Sequence, residues 1–505
     1  MPDHVPHYPM RIAGADVDAP DAFEIRNPKD EALFATVARG TIEHADQAIA
    51  AARATFESGV WSGLTPADRS TVMLRIADGF NEVLDEFVEL ESGANGATVR
   101  QATGFHIGYA ALHWTYFAEL AGSYCFEEPG ATAKWPTLAQ SYVRREPIGV
   151  CAAITPWNFP LLLSMWKFAP ALAAGNSVVV KPDEKTPLTM LRFAQIAEEC
   201  GLPPGVLNVV TGEGETVGAH IASHRDVDKV AFTGSTAVGR EIMRLGADTV
   251  KRVTLELGGK SPVVVLDDAD IDIAVDGALF SCFLYSGQVC ESGTRLLLPD
   301  SIHDEFVARL VARAKQITIG DPSDFDTDMG PVVSAEQRDR ILRYIEVGRQ
   351  EGATVAFGGG VPQGDGFDKG YWVEPTILVD VTNDMRVAQE EVFGPVLAVI
   401  RYADDDDAVR IANDTEYGLA AAVWSTDNER ALDVARRIRA GTVWINDHHM
   451  ISCEVPFGGY KQSGVGRELG PHALDAYTET KHIHLDLSGR LDRRAYAALL
   501  SEPAT

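Results

Sequence analysis

The chain has 505 residues, which is too long for a single hydrophobic core and predicts two or three domains. Its composition, 46% hydrophobic and 23% charged, is that of an ordinary globular protein. A formal net charge of −29 argues against nucleic acid or an anionic membrane surface as the main partner.

The N-terminal stretch MPDHVPHYPMRIAGADVDAPDAF lacks the apolar core of a secretory signal, and no stretch approaches the roughly 20 apolar residues of a membrane span. The six cysteines show no paired spacing, which is typical of the reducing cytoplasm; they are Cys125, Cys151, Cys200, Cys282, Cys290 and Cys453. We therefore predict a cytoplasmic protein without a membrane partner.

No Cys-x-x-Cys pair or close Cys/His cluster indicates a metal site. The pairs His448–His449 and His482/His484 are weak candidates, because surface loops and strand faces commonly carry such pairs. We therefore predict no metal.

Residues 149–260 alternate between short apolar runs and helical patterns. The runs GVCAAIT, NSVVVKP, GVLNVVTG, KVAFTG and VKRVTLEL predict five strands with four helices between them. This alternation predicts a parallel sheet with right-handed crossovers and helices on both faces. Ligands of such sheets bind beyond the carboxyl ends of the strands, where the loops TPWNFP, KPDEKTP, TGEGE, TGSTAVG and LGGK are expected.

A second α/β region begins at SPVVVLDD and runs to about residue 460, with strand candidates RLLLP, PTILVDV, VLAVIRY and AAAVWST. Near the C-terminus TKHIHLDLSG alternates strictly, with Ile483, Leu485 and Leu487 on one face. A one-faced strand after the compact domains predicts pairing with another segment or subunit.

Two loops of the first region have the spacing of phosphate-binding turns. TGEGETVGAH places Gly214 and Gly218 in a near match to G-x-G-x-x-G. FTGSTAVGR places Gly234, Ser235 and Gly239 between a strand and a helix, where free backbone N–H groups would meet a pyrophosphate. A turn of either kind, taken alone, has a purely structural role at least as often as it binds a phosphate.

A third strand end adds charged residues to these two turns. Lys181 ends the predicted strand NSVVVKP, and Glu184 follows three residues later. Together with the glycine turns they favour a dinucleotide site. A carboxylate that bonds ribose hydroxyls favours NAD over NADP.

The stretch SGQVCESGTR, residues 286–295, places Cys290 in a glycine-flanked loop. A lone cysteine is usually a small inert residue, and we interpret those at 125, 151, 200 and 282 in this way. The carboxylate of Glu291 disfavours a thiolate beside it, so a reactive Cys290 needs activation by other groups. If the chain is extended here, Glu291 points away from the sulfur and has no direct part in the chemistry.

Together these blocks resemble the aldehyde dehydrogenase superfamily over nearly the whole chain. The matching blocks, in the family's order, are TPWNFP, KP-x-E-x-TP, FTGSTAVG, LELGGKSP, GQVC-x-x-GTR, EEVFGPV and PFGGYKQSGVGRELG. The resemblance implies oxidation of an aldehyde to the carboxylic acid with NAD, or alternatively NADP, in a dimer or tetramer of identical chains.

The resemblance also implies an α/β fold in three parts. The first is a Rossmann-like parallel-sheet cofactor domain over residues 1–124 and 148–257. The second is an α/β catalytic domain over residues 258–462. The third is a small β element for bridging and oligomerisation over residues 125–147 and 477–490.

Carried over residue by residue, the resemblance assigns five catalytic positions. Cys290 is the expected nucleophile and Glu256 the general base. Asn158 and the backbone N–H of Cys290 are expected to stabilise the oxyanion. Lys167 and Glu468 match positions that continue a proton path, although Lys167 on an apolar helix is also consistent with a side chain that reaches the surface.

The resemblance further assigns residues that bind the cofactor and the substrate. The expected cofactor residues are Ile154, Thr155, Pro156, Trp157, Lys181, Glu184, Gly214, Gly218, Phe232, Thr233, Gly234, Ser235, Gly239, Leu257, Glu391 and Phe393. The expected substrate residues are Leu163, Trp166, Met450, Ile451 and Phe457. Leu163 and Trp166 favour an uncharged aldehyde, but the sequence leaves its identity open.

These residue types suit the chemistry. A thiolate adds to the aldehyde carbon and creates a thiohemiacetal oxyanion, which can lose a hydride. The thioester that remains needs a water activated by a carboxylate base.

Three alternatives stay open. A CoA-acylating enzyme passes the acyl group to CoA and needs no base for water, so the presence of Glu256 argues against it. A binding protein that keeps only the fold has no need of Cys290, Glu256 and Asn158 together. A cysteine hydrolase leaves the nicotinamide-side residues unexplained.

Overall fold

The computed structural model describes residues 5–135, 137–490, 492 and 494–500. Residues 1–4 of the predicted cofactor domain and residue 136 of the predicted bridging element therefore lie outside the described residues. The chain is an α/β protein built on two large sheets, which confirms the predicted fold class. The predicted domain boundaries stay predictions.

Among the described residues, the first half of the chain supplies twelve strands and nine α-helices. The strands are β1 (His7–Tyr8), β2 (Met10–Ile12), β3 (Ala15–Val17), β4 (Ala22–Arg26), β5 (Leu33–Ala38), β6 (Glu127–Ala133), β7 (Ala139–Pro147), β8 (Val150–Ile154), β9 (Ser177–Lys181), β10 (Leu207–Val209), β11 (Lys229–Thr233) and β12 (Arg252–Glu256). The helices are α1 (Ile42–Ser58), α2 (Pro66–Asn81), α3 (Leu84–Asn95), α4 (Val99–Gln101), α5 (Tyr109–Ser123), α6 (Pro160–Ala174), α7 (Leu188–Glu199), α8 (Ala219–Ser223) and α9 (Thr236–Ala247). Two π-helical turns, Ala102–Gly108 and Gly214–Gly218, precede α5 and α8.

The part of the second half that the structure describes supplies nine strands and seven α-helices. The strands are β13 (Pro262–Val265), β14 (Arg295–Pro299), β15 (Thr354–Phe357), β16 (Thr376–Val379), β17 (Val396–Tyr402), β18 (Ala420–Trp424), β19 (Thr442–Ile445), β20 (Gly464–Val465) and β21 (Thr478–Asp486). The helices are α10 (Ile271–Phe283), α11 (His303–Ala314), α12 (Ala335–Glu351), α13 (Arg386–Gln389), α14 (Asp405–Asn413), α15 (Asn428–Arg437) and α16 (His472–Asp475). Turns of 3₁₀-helix occupy Leu284–Gly287, Lys461–Ser463 and Ala495–Ala498.

The first large sheet has eight strands in the order β20-β12-β11-β8-β9-β10-β2-β3. Its five central strands, β12 to β10 in that order, pair in parallel and are the five strands predicted from residues 149–260. The strands β8, β9 and β11 are buried along their whole length, because helices cover both faces. Antiparallel strands β20 and β2 close the two sides.

The second large sheet has the order β15-β16-β17-β14-β13-β18-β19 and is parallel except for β15. All four strands predicted in this region are present, as β14, β16, β17 and β18. The last parallel strand of the first sheet, β12, ends at Glu256, and β13 of the second sheet begins at Pro262, so a short loop joins the carboxyl edge of the first sheet to the second.

A small antiparallel sheet has the order β21-β7-β6. Strand β21 pairs with β7 from Thr478↔Pro147 to Asp486↔Ala139, which confirms that the late alternating strand pairs with another segment. Ile483, Leu485 and Leu487 stay 39–52% exposed on it. A contact of this face with a second subunit stays a prediction.

Helices α2, α5, α6 and α7 form a buried cluster beside the first sheet. Every residue of α6 is buried. Trp114 of α5 is fully buried, donates its indole N–H to the Met73 carbonyl at 2.8 Å and packs on Phe168 and Phe193. No helix among the described residues is long and apolar enough to cross a bilayer.

Trp114→Ala is expected to lower the free energy of unfolding by about 3–5 kcal/mol, because it leaves a large cavity and an unpaired Met73 carbonyl. Chemical denaturation with a probe of this helical cluster measures the change. Leu112→Ala on the same helix is the control, since Leu112 is 63% exposed and its loss is expected to cost within about 0.5 kcal/mol. Equal losses in the two variants would contradict the assigned core.

Candidate functional site

The loop between α10 and β14 carries Cys290 to the carboxyl edge of the first sheet. The turn before it holds Tyr285 (φ 48°) and Ser286 (φ 54°) in left-handed backbone, which non-glycine residues rarely adopt. Two hydrogen bonds hold this turn, from Tyr285 Oη to the Asn95 carbonyl at 3.1 Å and from Ser286 Oγ to the Gly330 carbonyl at 2.7 Å.

Two cavities meet at Cys290. The first, called here the sheet-edge cavity, has a volume of about 180 Å³ and is lined by Pro156, Trp157, Asn158, Thr233, Gly234, Ser235, Leu257, Gly258, Cys290, Gln337, Arg340, Glu391 and Phe393. The second, called here the aromatic cavity, has a volume of about 30 Å³ and is lined by Phe105, Tyr109, Phe159, Leu162, Leu163, Trp166, Leu284, Val289, Cys290, Glu291, His449 and Ile451. The sulfur-bearing residue is common to both.

Glu291 lies beside the sulfur. The Cys290 thiol donates to Glu291 Oε2 at 3.0 Å, so the prediction that Glu291 points away is wrong. The physical reason is that residues 290–291 form a turn rather than extended chain, which places both side chains on one side. Burial, together with the charges of Glu291 and Glu256, raises the pKa of Cys290 well above its usual value.

Two buried histidines hold Glu291. His449 Nδ1 lies 3.1 Å from Glu291 Oε1, and His448 Nε2 lies 3.0 Å from the Glu291 carbonyl oxygen. His448 and His449 are only 1% and 2% exposed, so the expectation of a surface pair is wrong. Burial would raise the pKa of Glu291, but the hydrogen bond and charge of His449 outweigh it and hold that pKa below its usual value.

Glu256, the predicted base, ends β12 and is 2% exposed. Its Oε1 atom has no hydrogen-bond partner among the described residues. Burial and then the charge of Glu468 raise the pKa of Glu256 well above its usual value, while Lys167 opposes them. A carboxyl group with a raised pKa suits a general base that works near neutral pH.

Lys167 and Glu468 form a buried ion pair close to this base. Lys167 Nζ lies 2.9 Å from Glu468 Oε1 and 2.6 Å from Thr233 Oγ1. Lys167 is 1% exposed, so the alternative in which its side chain reaches the surface is wrong. The pair supplies protonatable groups behind Glu256, as a proton path requires.

Asn158 lies on the wall of the sheet-edge cavity next to Cys290. Its side-chain N–H donates to the Gln288 carbonyl at 3.0 Å, which leaves its second N–H for another acceptor. The predicted oxyanion role stays a prediction.

Eight of the predicted cofactor residues line the sheet-edge cavity: Pro156, Trp157, Thr233, Gly234, Ser235, Leu257, Glu391 and Phe393. Ser235 caps α9 by accepting the Val238 N–H, and a helix start favours an anion. A Cβ at Gly258 would lie 2.3 Å from Glu391 Oε2, so the carboxylate needs the glycine. Burial raises the pKa of Glu391 to about 7, although the Gly259 N–H donates to it at 2.9 Å.

The other predicted cofactor residues lie along the same strand ends but do not line this cavity. Lys181 Nζ lies 3.5 Å from Glu184 Oε2, and the π-helical turn with Gly214 and Gly218 packs against Lys181. The remaining members are Ile154, Thr155, Phe232 and Gly239. Their cofactor roles stay predictions.

The predicted substrate residues separate into two groups. Leu163, Trp166 and Ile451 line the aromatic cavity. Phe457 packs edge-on against Trp166 with ring centres 5.3 Å apart, behind the wall. Met450 is 41% exposed and is not among the cavity's lining residues.

Sequence reasoning missed several side chains that line the aromatic cavity or lie behind its wall. Phe105, Tyr109 and His113 form a row of rings that ends on Trp166: Phe105 meets Tyr109 edge to face, and Tyr109, His113 and Trp166 stack in turn. The indole N–H of Trp166 donates to His113 Nδ1 at 2.7 Å. Their i, i+4 spacing is a signal that finds one helical face. The pairing of Glu291 with His449 has no such signal, because it joins distant loops.

Away from these cavities, Asp46, His220 and His224 place ligand-type atoms within 4.8 Å of one another. His224 Nδ1 accepts the Asp226 N–H at 3.1 Å, so neutral His224 carries its proton on the nitrogen that faces Asp46. That protonated nitrogen cannot bind a metal. The prediction of no metal stays a prediction.

The known sequences that this chain resembles are aldehyde dehydrogenases. A family model described as "Aldehyde dehydrogenase family" matches residues 16–483. The chain is 47% identical over 461 residues to betaine aldehyde dehydrogenase of Bacillus subtilis (strain 168), covering 91% of this chain and 93% of that protein. It is 46% identical over 470 residues to an aldehyde dehydrogenase of Emericella nidulans, covering 93% of each.

Solved structures give the same result. A crystal structure of betaine aldehyde dehydrogenase from Staphylococcus aureus in complex with NAD+ superposes with a TM-score of 0.93 at 42% sequence identity. The superposition covers 96% of this chain and 95% of that one.

Proposed function

Since this chain belongs to the aldehyde dehydrogenase family, we propose that Cys290 is the nucleophile of an aldehyde oxidation that Glu256 completes by activating water. The enzyme oxidises an aldehyde to the carboxylic acid with reduction of NAD. The observation that carries the assignment is that Cys290 lines both cavities, so one sulfur meets a cofactor on one side and a substrate on the other.

The sheet-edge cavity suits the nicotinamide half of NAD, and the strand ends beside it suit the adenosine half. Ser235 at the start of α9 suits the pyrophosphate, and Lys181 with Glu184 suits the adenosine ribose. Glu391, held by the Gly259 N–H, suits the nicotinamide ribose, and the rings of Trp157 and Phe393, 5.3 Å apart, suit the nicotinamide end. Bound NAD supplies a nicotinamide ring that accepts the hydride from the substrate carbon.

The protein's own groups carry the remaining steps. The Cys290 sulfur adds to the aldehyde carbon, and the free N–H of Asn158 with the Cys290 backbone N–H stabilises the oxyanion. After the oxidation the acyl group stays on Cys290 as a thioester. Glu256 takes a proton from water, and the hydroxide attacks the thioester. The proton then passes to the carboxylate of Glu468, which Lys167 holds in place.

The aromatic cavity supports an uncharged aldehyde. Its described ionisable lining residues are Tyr109, Cys290, Glu291 and His449, and the last two neutralise each other. A cationic substrate would find no free carboxylate there, and an anionic one no free cation. The rings of Phe105, Tyr109 and Trp166 nevertheless offer cation–π faces, which favour betaine aldehyde, named in the relatives, as the second candidate.

We place the enzyme in the cytoplasm as a dimer or tetramer. The six cysteines are free, as in a reducing compartment. The exposed apolar face of β21, with Ile483, Leu485 and Leu487, supports a contact with a second copy.

The central test is NAD+ reduction by the purified protein with a panel of aldehydes, without and with CoA. Cys290→Ala is expected to lose about 10³-fold or more of the turnover, and Glu256→Gln about 10²–10⁴-fold. Cys453→Ala is the control, because Cys453 lies on the neighbouring loop but lines neither cavity. Turnover that requires CoA would contradict the role of Glu256, and full activity of Cys290→Ala would contradict the site.

The charge preference is a separate prediction. Uncharged aliphatic and aromatic aldehydes are expected to exceed betaine aldehyde in kcat/KM by about tenfold or more, because the cation would lose water without a free carboxylate. Steady-state kinetics on one enzyme preparation measures the ratio. A preference for betaine aldehyde would show that the aromatic faces outweigh this cost.

The pH dependence of hydrolysis follows from Glu256. Glu468 raises the pKa of Glu256, so Glu468→Gln is expected to move the acidic limb of kcat to lower pH by about one unit. The double variant Lys167→Met/Glu468→Gln also removes the opposing cation, so its limb is expected nearer to that of the wild type. An unmoved limb in Glu468→Gln would show that another group limits kcat.

A further inference from the structure

Cys290, Glu291, His449 and Ser281 form a continuous hydrogen-bonded line on the wall of the aromatic cavity. The distances are 3.0 Å from Sγ to Glu291 Oε2, 3.1 Å from Glu291 Oε1 to His449 Nδ1, and 3.0 Å from His449 Nε2 to the Ser281 carbonyl. Glu291 is 5% and His449 2% exposed. The thiol thus meets a carboxylate that protein groups hold in place.

The Ser281 carbonyl and the Glu291 carboxyl group, one beside each ring nitrogen, determine which nitrogens of His449 carry a proton. Nε2 faces a carbonyl, which only accepts, so Nε2 carries a proton. Nδ1 faces Glu291, so a carboxylate there requires a second proton on Nδ1. His449 is then an imidazolium paired with an anionic Glu291. A buried carboxylate is stable in this form only because it is paired.

Glu256 has the opposite character. No hydrogen bond joins it to Cys290 among the described residues, and burial with the charge of Glu468 raises its pKa well above the usual value. His449 holds the pKa of Glu291 below its usual value. Of the two carboxyl groups, the one held toward its ionised form therefore touches the thiol, and the one held toward its neutral form does not.

We propose that Glu291, held by His449, is the base that takes the thiol proton from Cys290, and that Glu256 acts only on water. The two proton transfers of the reaction are thereby divided between two carboxylates. This inference rests on the proposed role of Cys290 as the nucleophile. Glu291 touches the reacting sulfur and is a catalytic residue, and His449 is a positioning residue.

The step balances without another reactant. The S–H bond breaks, an O–H bond forms on Glu291 Oε2, and the electron pair stays on sulfur to attack the aldehyde carbon. Glu291 keeps the proton while the acyl group is on Cys290, and returns it to the sulfur when hydrolysis releases the thiolate. The proton that water gives to Glu256 leaves by the separate Lys167–Glu468 pair.

Charge repulsion between Glu291 and a Cys290 thiolate predicts the opposite effect of removing Glu291. If Glu291 acts only as a nearby negative charge, it opposes the thiolate, and its removal makes Cys290 more reactive at neutral pH. If Glu291 is the base, its removal makes Cys290 less reactive. The charged or titratable groups around the pair are Glu256 and Glu391 toward the sulfur, and Tyr109, His448 and His449 toward Glu291.

The first test measures alkylation of Cys290 by iodoacetamide against pH, read by peptide mass spectrometry without NAD. The exposed Cys125 of the same chain is the internal reference. The alkylation rate of the wild-type protein is expected to be independent of pH through the neutral range, because the thiol proton moves to Glu291 rather than to the solvent. In Glu291→Gln it is expected to fall about 10²-fold at neutral pH and to climb with alkali.

Glu454→Gln is the matched control, since it removes one exposed carboxylate near the same cavity and is expected to leave the profile unchanged. An unchanged or faster rate in Glu291→Gln would overturn the proposal. Folding of each variant is checked by NAD+ binding.

His449→Asn tests the positioning role. Asparagine tolerates the left-handed backbone at this position (φ 63°) and keeps an N–H donor, but it removes the positive charge. The pKa of Glu291 then rises, so the flat region of the alkylation profile is expected to begin at higher pH. A profile that begins at the wild-type pH would overturn the role of His449.

The second test separates acylation from hydrolysis by rapid mixing of enzyme, NAD+ and aldehyde. Glu291→Gln is expected to slow the first turnover of NADH formation, whereas Glu256→Gln is expected to keep that burst and lose later turnovers. Loss of the burst in Glu256→Gln but not in Glu291→Gln would overturn the inference and leave the proposed function intact. A burst in Cys290→Ala would overturn the proposed function itself.

Discussion

Burial of ionisable side chains where the loop that carries Cys290 meets the carboxyl edge of the first sheet is the constraint on which the site depends. Glu256, Lys167, Glu468, Glu291 and His449 are each at most 5% exposed. An isolated charge at such depth costs several kcal/mol, so each group must be paired or neutral. Lys167 pairs with Glu468 and Glu291 pairs with His449, while Glu256 has no ion-pair partner among the residues that the structure describes and is held toward its neutral form.

Pairing and burial thereby shift the pKa values of two glutamates, Glu291 and Glu256, in opposite directions. Glu291, beside the thiol, is held toward its anionic form, and Glu256 is held toward its neutral form because burial raises its pKa. The ion pairs are buried within walls of apolar and aromatic side chains, which keep the local dielectric low. Loss of either partner would leave an uncompensated charge, which ties the protonation state of the site to the packing around it.

The site also requires that the Cys290 sulfur lie between the sheet-edge cavity and the aromatic cavity, and the backbone provides this placement. Parallel strands bring the loops after β8, β11 and β12 to one edge, where a helix start and several backbone groups face a polar cavity. The left-handed turn at Tyr285 and Ser286 redirects the chain from α10 so that Cys290 faces that edge and the aromatic cavity together. Hydrogen bonds to Asn95 and Gly330 hold this turn in place.

The sequence by itself determined the elements and the polar edge of the first sheet. The alternation of apolar runs with helical patterns depends on local periodicity, so the five parallel strands of the first sheet, four of the seven strands of the second sheet and the alternating strand near the C-terminus were predicted. The motifs around Asn158, Ser235, Glu256 and Cys290 are also local, and the structure brings all four residues close together. Only the tertiary structure decided the direction of Glu291, the burial of His448 and His449, and the removal of Met450 from the cavity wall. These outcomes depend on contacts between residues more than 150 positions apart and on one turn that interrupts an extended loop, and no local pattern encodes either of them.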